Sequence, residues 1–150
     1  MARLKRFIRY IPIFAAVVGI LVLTTQNKEE TTSLSQSFRN WLVEVSIRLG
    51  IDTDTEWWND RQNVRLLGHV IEYFILGLAS GIAFKRKWVA LIFCVLISLF
   101  DQITKIFVPV RHFDIGDIPF DLVGIVSGIL IAWVIGMAIR ALGHDGEKPV

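Results

Sequence analysis

Apolar residues in this chain gather into runs rather than alternating. Four stretches approach the roughly 20 mostly apolar residues that a helix needs to cross a bilayer core: 7–23, 66–84, 88–108 and 118–139. Between the first two, Leu34, Phe38, Trp41, Leu42, Val45 and Leu49 recur at three- and four-residue steps. That period predicts an amphipathic helix over 33–49, with Gly50 ending it. Its apolar face has two open uses, lying on the outer membrane surface or packing on the outer ends of the spans. Trp57 and Trp58 follow and suit the interfacial belt. The predicted fold is an all-α integral membrane protein: four transmembrane helices, with the amphipathic helix between the first and second. Residues 1–142 form one domain and 143–150 a disordered cytoplasmic tail.

The basic residues orient the bundle. Arg3, Lys5, Arg6 and Arg9 precede the first run, Lys85, Arg86 and Lys87 join the second to the third, and Arg140 follows the fourth. Short cytoplasmic segments are enriched in Lys and Arg, so these three share the inner side and both termini are cytoplasmic. The connection from Thr24 to Arg65 then faces outward. Its five bases (Lys28, Arg39, Arg48, Arg61, Arg65) stand against seven acids (Glu29, Glu30, Glu44, Asp52, Asp54, Glu56, Asp60), a net of −2 that agrees with this placement. No small-x-small cleavage pattern follows Leu23, so the first run reads as a retained helix rather than a signal peptide.

Composition narrows the function classes. The 150 residues are 53% hydrophobic and 20% charged, more apolar than ordinary soluble domains. Sixteen Lys and Arg against fourteen Asp and Glu give +2, which offers no footprint for nucleic acid. The one cysteine, Cys94, forms no internal disulfide and no thiolate metal site, and reads as a small buried apolar residue.

Ionisable residues within the spans are costly and mark sites of interest. His69 and Glu72 share a helix face, with Tyr73 beside them. Cys94, Ser98, Asp101, Gln102 and Lys105 make one polar stripe on the third span. The 109–117 connection supplies Arg111, His112, Asp114 and Asp117, and Asp121 lies one turn into the fourth span. Asp117 reads as that helix's N-cap, with Pro119 in the first turn. Gly124, Gly128, Ala132 and Gly136 form a stripe that lets helices approach closely. All these polar groups fall in one outer-leaflet layer, either an outward-facing pocket or an ion-pair network in which Arg111 and Lys105 neutralise Asp101, Asp117 or Asp121.

The run from Phe100 to Arg111, followed by Asp117, Asp121, Gly124 and Gly128, resembles the signature of VanZ-like membrane proteins. Arg65, His69, Tyr73, Leu76 and Gly77 resemble that family's second-helix pattern. Asp101, Phe107, Pro109, Arg111, Asp117, Gly124 and Gly128 match in type and spacing. Gln102, Lys105 and Asp121 stand where Glu, Gln and Asn are usual. The resemblance implies a protein of the bacterial inner or plasma membrane, linked to low-level resistance to teicoplanin-type glycopeptides.

Two function classes follow. In the first, the pocket binds an anionic membrane lipid or lipid-linked cell-wall-precursor head group through Arg65, His69, Tyr73, Asp101, Gln102, Lys105, Arg111, Asp117 and Asp121. Arg111 supplies a planar fork and Lys105 a point charge. In the second, a membrane-embedded hydrolase or transferase acts on a lipid-linked head group: His69 is the general base, and Glu72, Asp101 and Asp121 are acid/base groups or metal ligands. The reading favoured here is binding without catalysis, with no cofactor or resident metal; the oligomeric state is left open.

Overall fold

A computed structural model describes residues 7–25, 28–51, 60–108 and 113–144. It is all-helical: α1 (Ile11–Thr25), α2 (Lys28–Arg48), α3 (Arg61–Ala83), α4 (Lys87–Ile106) and α5 (Ile118–His144). Three helices are long and apolar enough to cross a membrane, over Gln62–Ala83, Lys87–Ile106 and Ile118–Leu142. The first apolar run is a shorter helix than its sequence suggests. Phe7 and Ile8 are helical, Arg9 and Tyr10 form a turn, and α1 starts at Ile11, where Pro12 has no N–H to offer a preceding carbonyl. Its 15 residues extend about 22 Å, short of the roughly 30 Å hydrocarbon core.

Local signals set the other boundaries. The Asp60 carboxylate accepts from the Gln62 N–H at 2.9 Å, so α3 starts five residues before the apolar run at Leu66. Gly50, at φ 73°, closes α2 in the left-handed conformation that glycine tolerates best. The amphipathic helix is longer than 33–49. On its expected apolar face Phe38, Leu42 and Val45 are half-buried, whereas Leu34, Trp41 and Leu49 remain exposed. The expected tail loses its first two residues to α5, which continues through Gly143 and His144 because nothing there breaks the helix before Gly146. Residues 145–150, Trp57 and Trp58 lie outside the described residues.

The tightest contact joins α3 to α5, which run parallel. Gly77 and Gly81 on α3 meet Ile125 and Ala132 on α5, and Gly124 and Gly128 on α5 meet Val70 and Phe74 on α3. A Cβ at Gly77 would sit 2.5 Å from the Ile125 carbonyl oxygen, one at Gly81 would sit 2.6 Å from the Ala132 Cβ, and one at Gly124 or Gly128 would strike α3 backbone. Two small-x-x-x-small stripes therefore let the helices touch at their backbones. Gly136, expected to extend this stripe, does not: a Cβ there would meet only the Arg140 guanidinium at 3.7 Å. Antiparallel α4 packs on both helices, and α1 lies against α3 and α4.

At one end Tyr10 meets Phe84 edge-on (centroids 5.9 Å apart), and Phe84 meets Phe93 at 5.6 Å. This end gathers Arg9 and the start of α1, the Lys85–Lys87 turn and the end of α5 with Arg140, so the described residues of the three basic segments share a side. Elsewhere the outward faces are apolar: Leu96, Leu99, Phe100 and Ile103 on α4 and Val123, Val126, Leu130 and Val134 on α5 are all exposed. A long contiguous apolar surface of this kind suits lipid rather than water.

Candidate polar site

The polar side chains collect at the opposite end of the bundle. The buried face of α4 is Ala90, Cys94, Ser98, Asp101, Gln102 and Lys105, which is the stripe expected from the spacing. A lipid-facing helix inverts the usual amphipathic rule: its polar side turns inward, where partners stand in for water. Asp117 and Asp121 at the start of α5 are also buried.

The glycine contact sets the register of the layer. With α3 and α5 parallel and touching, residues one turn apart on one helix face residues one turn apart on the other. Arg65 Nη2 donates to Asp114 Oδ2 at 2.8 Å and to Asp117 Oδ1 at 2.9 Å. One turn deeper, His69 Nε2 is 3.3 Å from Asp117 Oδ2, and Nδ1 is 3.1 Å from Asp121 Oδ1. The second pair is close but misaligned, and neither atom completes a hydrogen bond. Another turn deeper, the Tyr73 ring stacks on His69 with centroids 6.4 Å apart and planes 9° off parallel.

The third wall comes from α4. Lys105 Nζ lies 3.2 Å from Asp101 Oδ2 and 3.3 Å from Asp117 Oδ2, and Ser98 Oγ donates to Asp121 Oδ2 at 2.8 Å. Thr24, at the end of α1, donates to Asp101. Its role was not foreseen; a hydroxyl closing an apolar helix was the only available signal, and nothing in the sequence says which helix it faces.

Several expectations are refined. Asp117 stands at the N-cap position of α5, its backbone carbonyl accepting from the Asp121 N–H at 3.0 Å, and its carboxylate also meets Arg65, His69 and Lys105 from neighbouring helices. Lys105 neutralises Asp101 and Asp117, whereas Asp121 meets His69 and Ser98. Asp114 pairs with Arg65 and accepts from the Gly116 N–H at 2.9 Å. Those two donors hold its carboxyl below the usual range. Glu72 sits at the rim, half-buried, with no hydrogen bond or ion pair to the other described residues. Arg111 and His112 lie outside the described residues.

Chemically, the layer is a paired network with gaps. Gln102 and Asp121 are fully buried, yet Gln102 Nε2 and Oε1 and Asp121 Oδ1 have no hydrogen-bond partner. Both His69 nitrogens face carboxylates across the α3–α5 contact, Nε2 toward Asp117 and Nδ1 toward Asp121. Among the described residues no three His, Cys, Asp or Glu side chains converge as a metal-binding set. Cys94 is buried beside the Leu76 carbonyl, as its apolar surroundings suggested.

Three long apolar helices, a shorter fourth and a polar layer confined to one end define a small multi-helix membrane protein. The family model for VanZ/LLP1 matches residues 9–136, and the chain belongs to that family. No curated protein and no solved structure matches it.

Proposed function

We propose that residues 1–142 act as one membrane domain in a bacterial inner or plasma membrane, with α1 as a fourth, shorter crossing, both termini cytoplasmic and the polar layer in the outer half. The layer binds a phosphate-bearing membrane lipid or lipid-linked cell-wall-precursor head group and so contributes to low-level resistance against teicoplanin-type glycopeptides. The observation that carries this reading is a buried, unpartnered side chain inside an otherwise paired cluster: both amide atoms of Gln102. A network serving only to lock the helices would leave few buried polar atoms unsatisfied. Arg65 supports the same reading, because Nη2 makes both of its carboxylate contacts and the side chain is 43% exposed, leaving other guanidinium N–H groups for an anionic oxygen. Arg111 would add a second fork.

Gln102→Leu tests the proposal. Replacing an unsatisfied buried amide by an apolar side chain of similar size is neutral or stabilising. The expected result is equal or higher thermal stability in detergent together with loss of head-group binding and of teicoplanin tolerance. Unchanged binding and tolerance in a stable variant would overturn the reading.

A further inference from the structure

The layer contains more acid than its cations neutralise. Glu72, Asp101, Asp114, Asp117 and Asp121 are matched by Arg65 and Lys105, and counting Arg111 from the sequence still leaves five carboxylates against three fixed cations. Asp101, Asp114, Asp117 and Asp121 each have a basic side chain within 3.3 Å. Glu72 has no such partner among the described residues. It lies within electrostatic reach of Asp101 and Asp121, which repel it, and of His69 and Lys105, which are engaged with other carboxylates. An ionised carboxylate so placed in an apolar bundle calls for a compensating positive charge.

The surplus acid coincides with unfilled hydrogen-bonding positions. The Tyr73 side chain is fully buried, and its hydroxyl faces Asp101 and Asp121. Gln102 is equally buried with both amide atoms unpartnered, and Asp121 Oδ1 is also open. The vacant acceptors are thus a carboxylate at the rim, an amide oxygen and a carboxylate oxygen. One primary ammonium offers Glu72 a local positive partner together with three N–H donors, even though a zwitterionic head group leaves the net charge of the layer unchanged. Ile75, one turn beyond Glu72 on the adjoining side, is 52% exposed, so the rim faces the lipid.

Resting on the head-group reading above, we propose that the bound head group carries a primary ammonium, as in an ethanolamine phospholipid, and that Glu72 receives it. The phosphate of such a head group falls to Arg65 and the ammonium to Glu72.

The test uses the full chain, purified in detergent and titrated with phosphatidylethanolamine, phosphatidylcholine or phosphatidylglycerol, reading lipid adducts by native mass spectrometry and the melting temperature. Phosphatidylethanolamine should bind about tenfold tighter than phosphatidylcholine, whose quaternary nitrogen keeps the charge but has no N–H to donate. Glu72→Gln should stay folded, with a melting temperature at or above that of the parent, and lose this preference. Equal binding of the two lipids, or a Glu72→Gln variant that keeps the preference, would overturn the proposal and identify Glu72 as a protonated bystander. Preferential binding of phosphatidylglycerol would overturn the ammonium assignment while leaving the phosphate-binding reading intact. Soluble ethanolamine that reproduced the full shift would overturn the lipid as the source of the amine.

Discussion

The two ends of the α3–α5 pair are held by opposite means. Toward the basic turn, Gly77, Gly81, Gly124 and Gly128 bring backbone against backbone with no polar side chain between them. Toward the other end, Arg65 and His69 reach across to Asp114, Asp117 and Asp121. The glycine end rests on close backbone packing, with Ser80 buried beside it and Lys87 Nζ donating to the Gly81 carbonyl. The charged end depends on pairing that is incomplete, and the incompleteness is what makes it a candidate site. In lipid, where the hydrophobic effect does not drive helices together, close packing and polar contacts are the two available adhesives. This protein uses them at separate depths.

Removing the central cation should break the charged end most severely. Lys105→Met leaves Asp101 and Asp117 facing one another's charge in a buried setting, with an expected cost of about 3–5 kcal/mol. Loss of folded protein on size-exclusion chromatography is the readout, and adding Asp101→Asn should recover part of the loss. Full stability of the single variant would mean that the pairing does not hold the layer.

The glycine end has a built-in control. Gly128→Ala drives a Cβ into the Phe74 carbonyl and the Leu78 N–H, and overpacking of this kind costs about 1–3 kcal/mol. Gly136→Ala meets only a flexible guanidinium and should be neutral, or stabilising by up to about 1 kcal/mol through helix propensity. Thermal melts of the two variants side by side would separate contact from propensity; equal behaviour would mean that the backbone crossing is not where it is placed here.

Asp114 should have the smallest effect. The Arg65–Asp114 pair is partly exposed, at 43% and 40%, so Asp114→Asn should cost no more than about 1 kcal/mol. Its sign with pH is definite. A carboxyl held below its ordinary value contributes stability that is fully present above the unfolded pKa of about 3.9 and is lost as pH falls through the lower folded one. The stability difference between parent and Asp114→Asn should therefore be constant from neutral pH down to about 5 and shrink only in stronger acid. A difference that vanished between pH 6 and 7 would mean that Asp114 is not the titrating group.

Much of this molecule is legible in its residue order. Long apolar runs report helices because a backbone in lipid must satisfy its own hydrogen bonds, and the one inward stripe of α4 follows from 3.6-residue spacing. The resemblance on Arg65, His69, Asp101, Asp117, Gly124 and Gly128 agrees with the family match over residues 9–136. The pairing of those side chains was readable only in part. Lys105 against Asp101 and Asp117 was one of the readings the residues offered; that Arg65 and His69 also reach Asp117, at the N-cap position of α5, follows from the convergence of α3, α4 and α5. Thr24 joins Asp101 across 77 positions of chain, and Gly77 and Gly81 gain their meaning only from the residues of α5 that they meet. Periodicity is a property of one helix, set by local backbone geometry, and one sequence suffices to see it. Which carboxylate meets which cation depends on the relative depth and rotation of separate helices. That was decided here by where four glycines let two backbones touch.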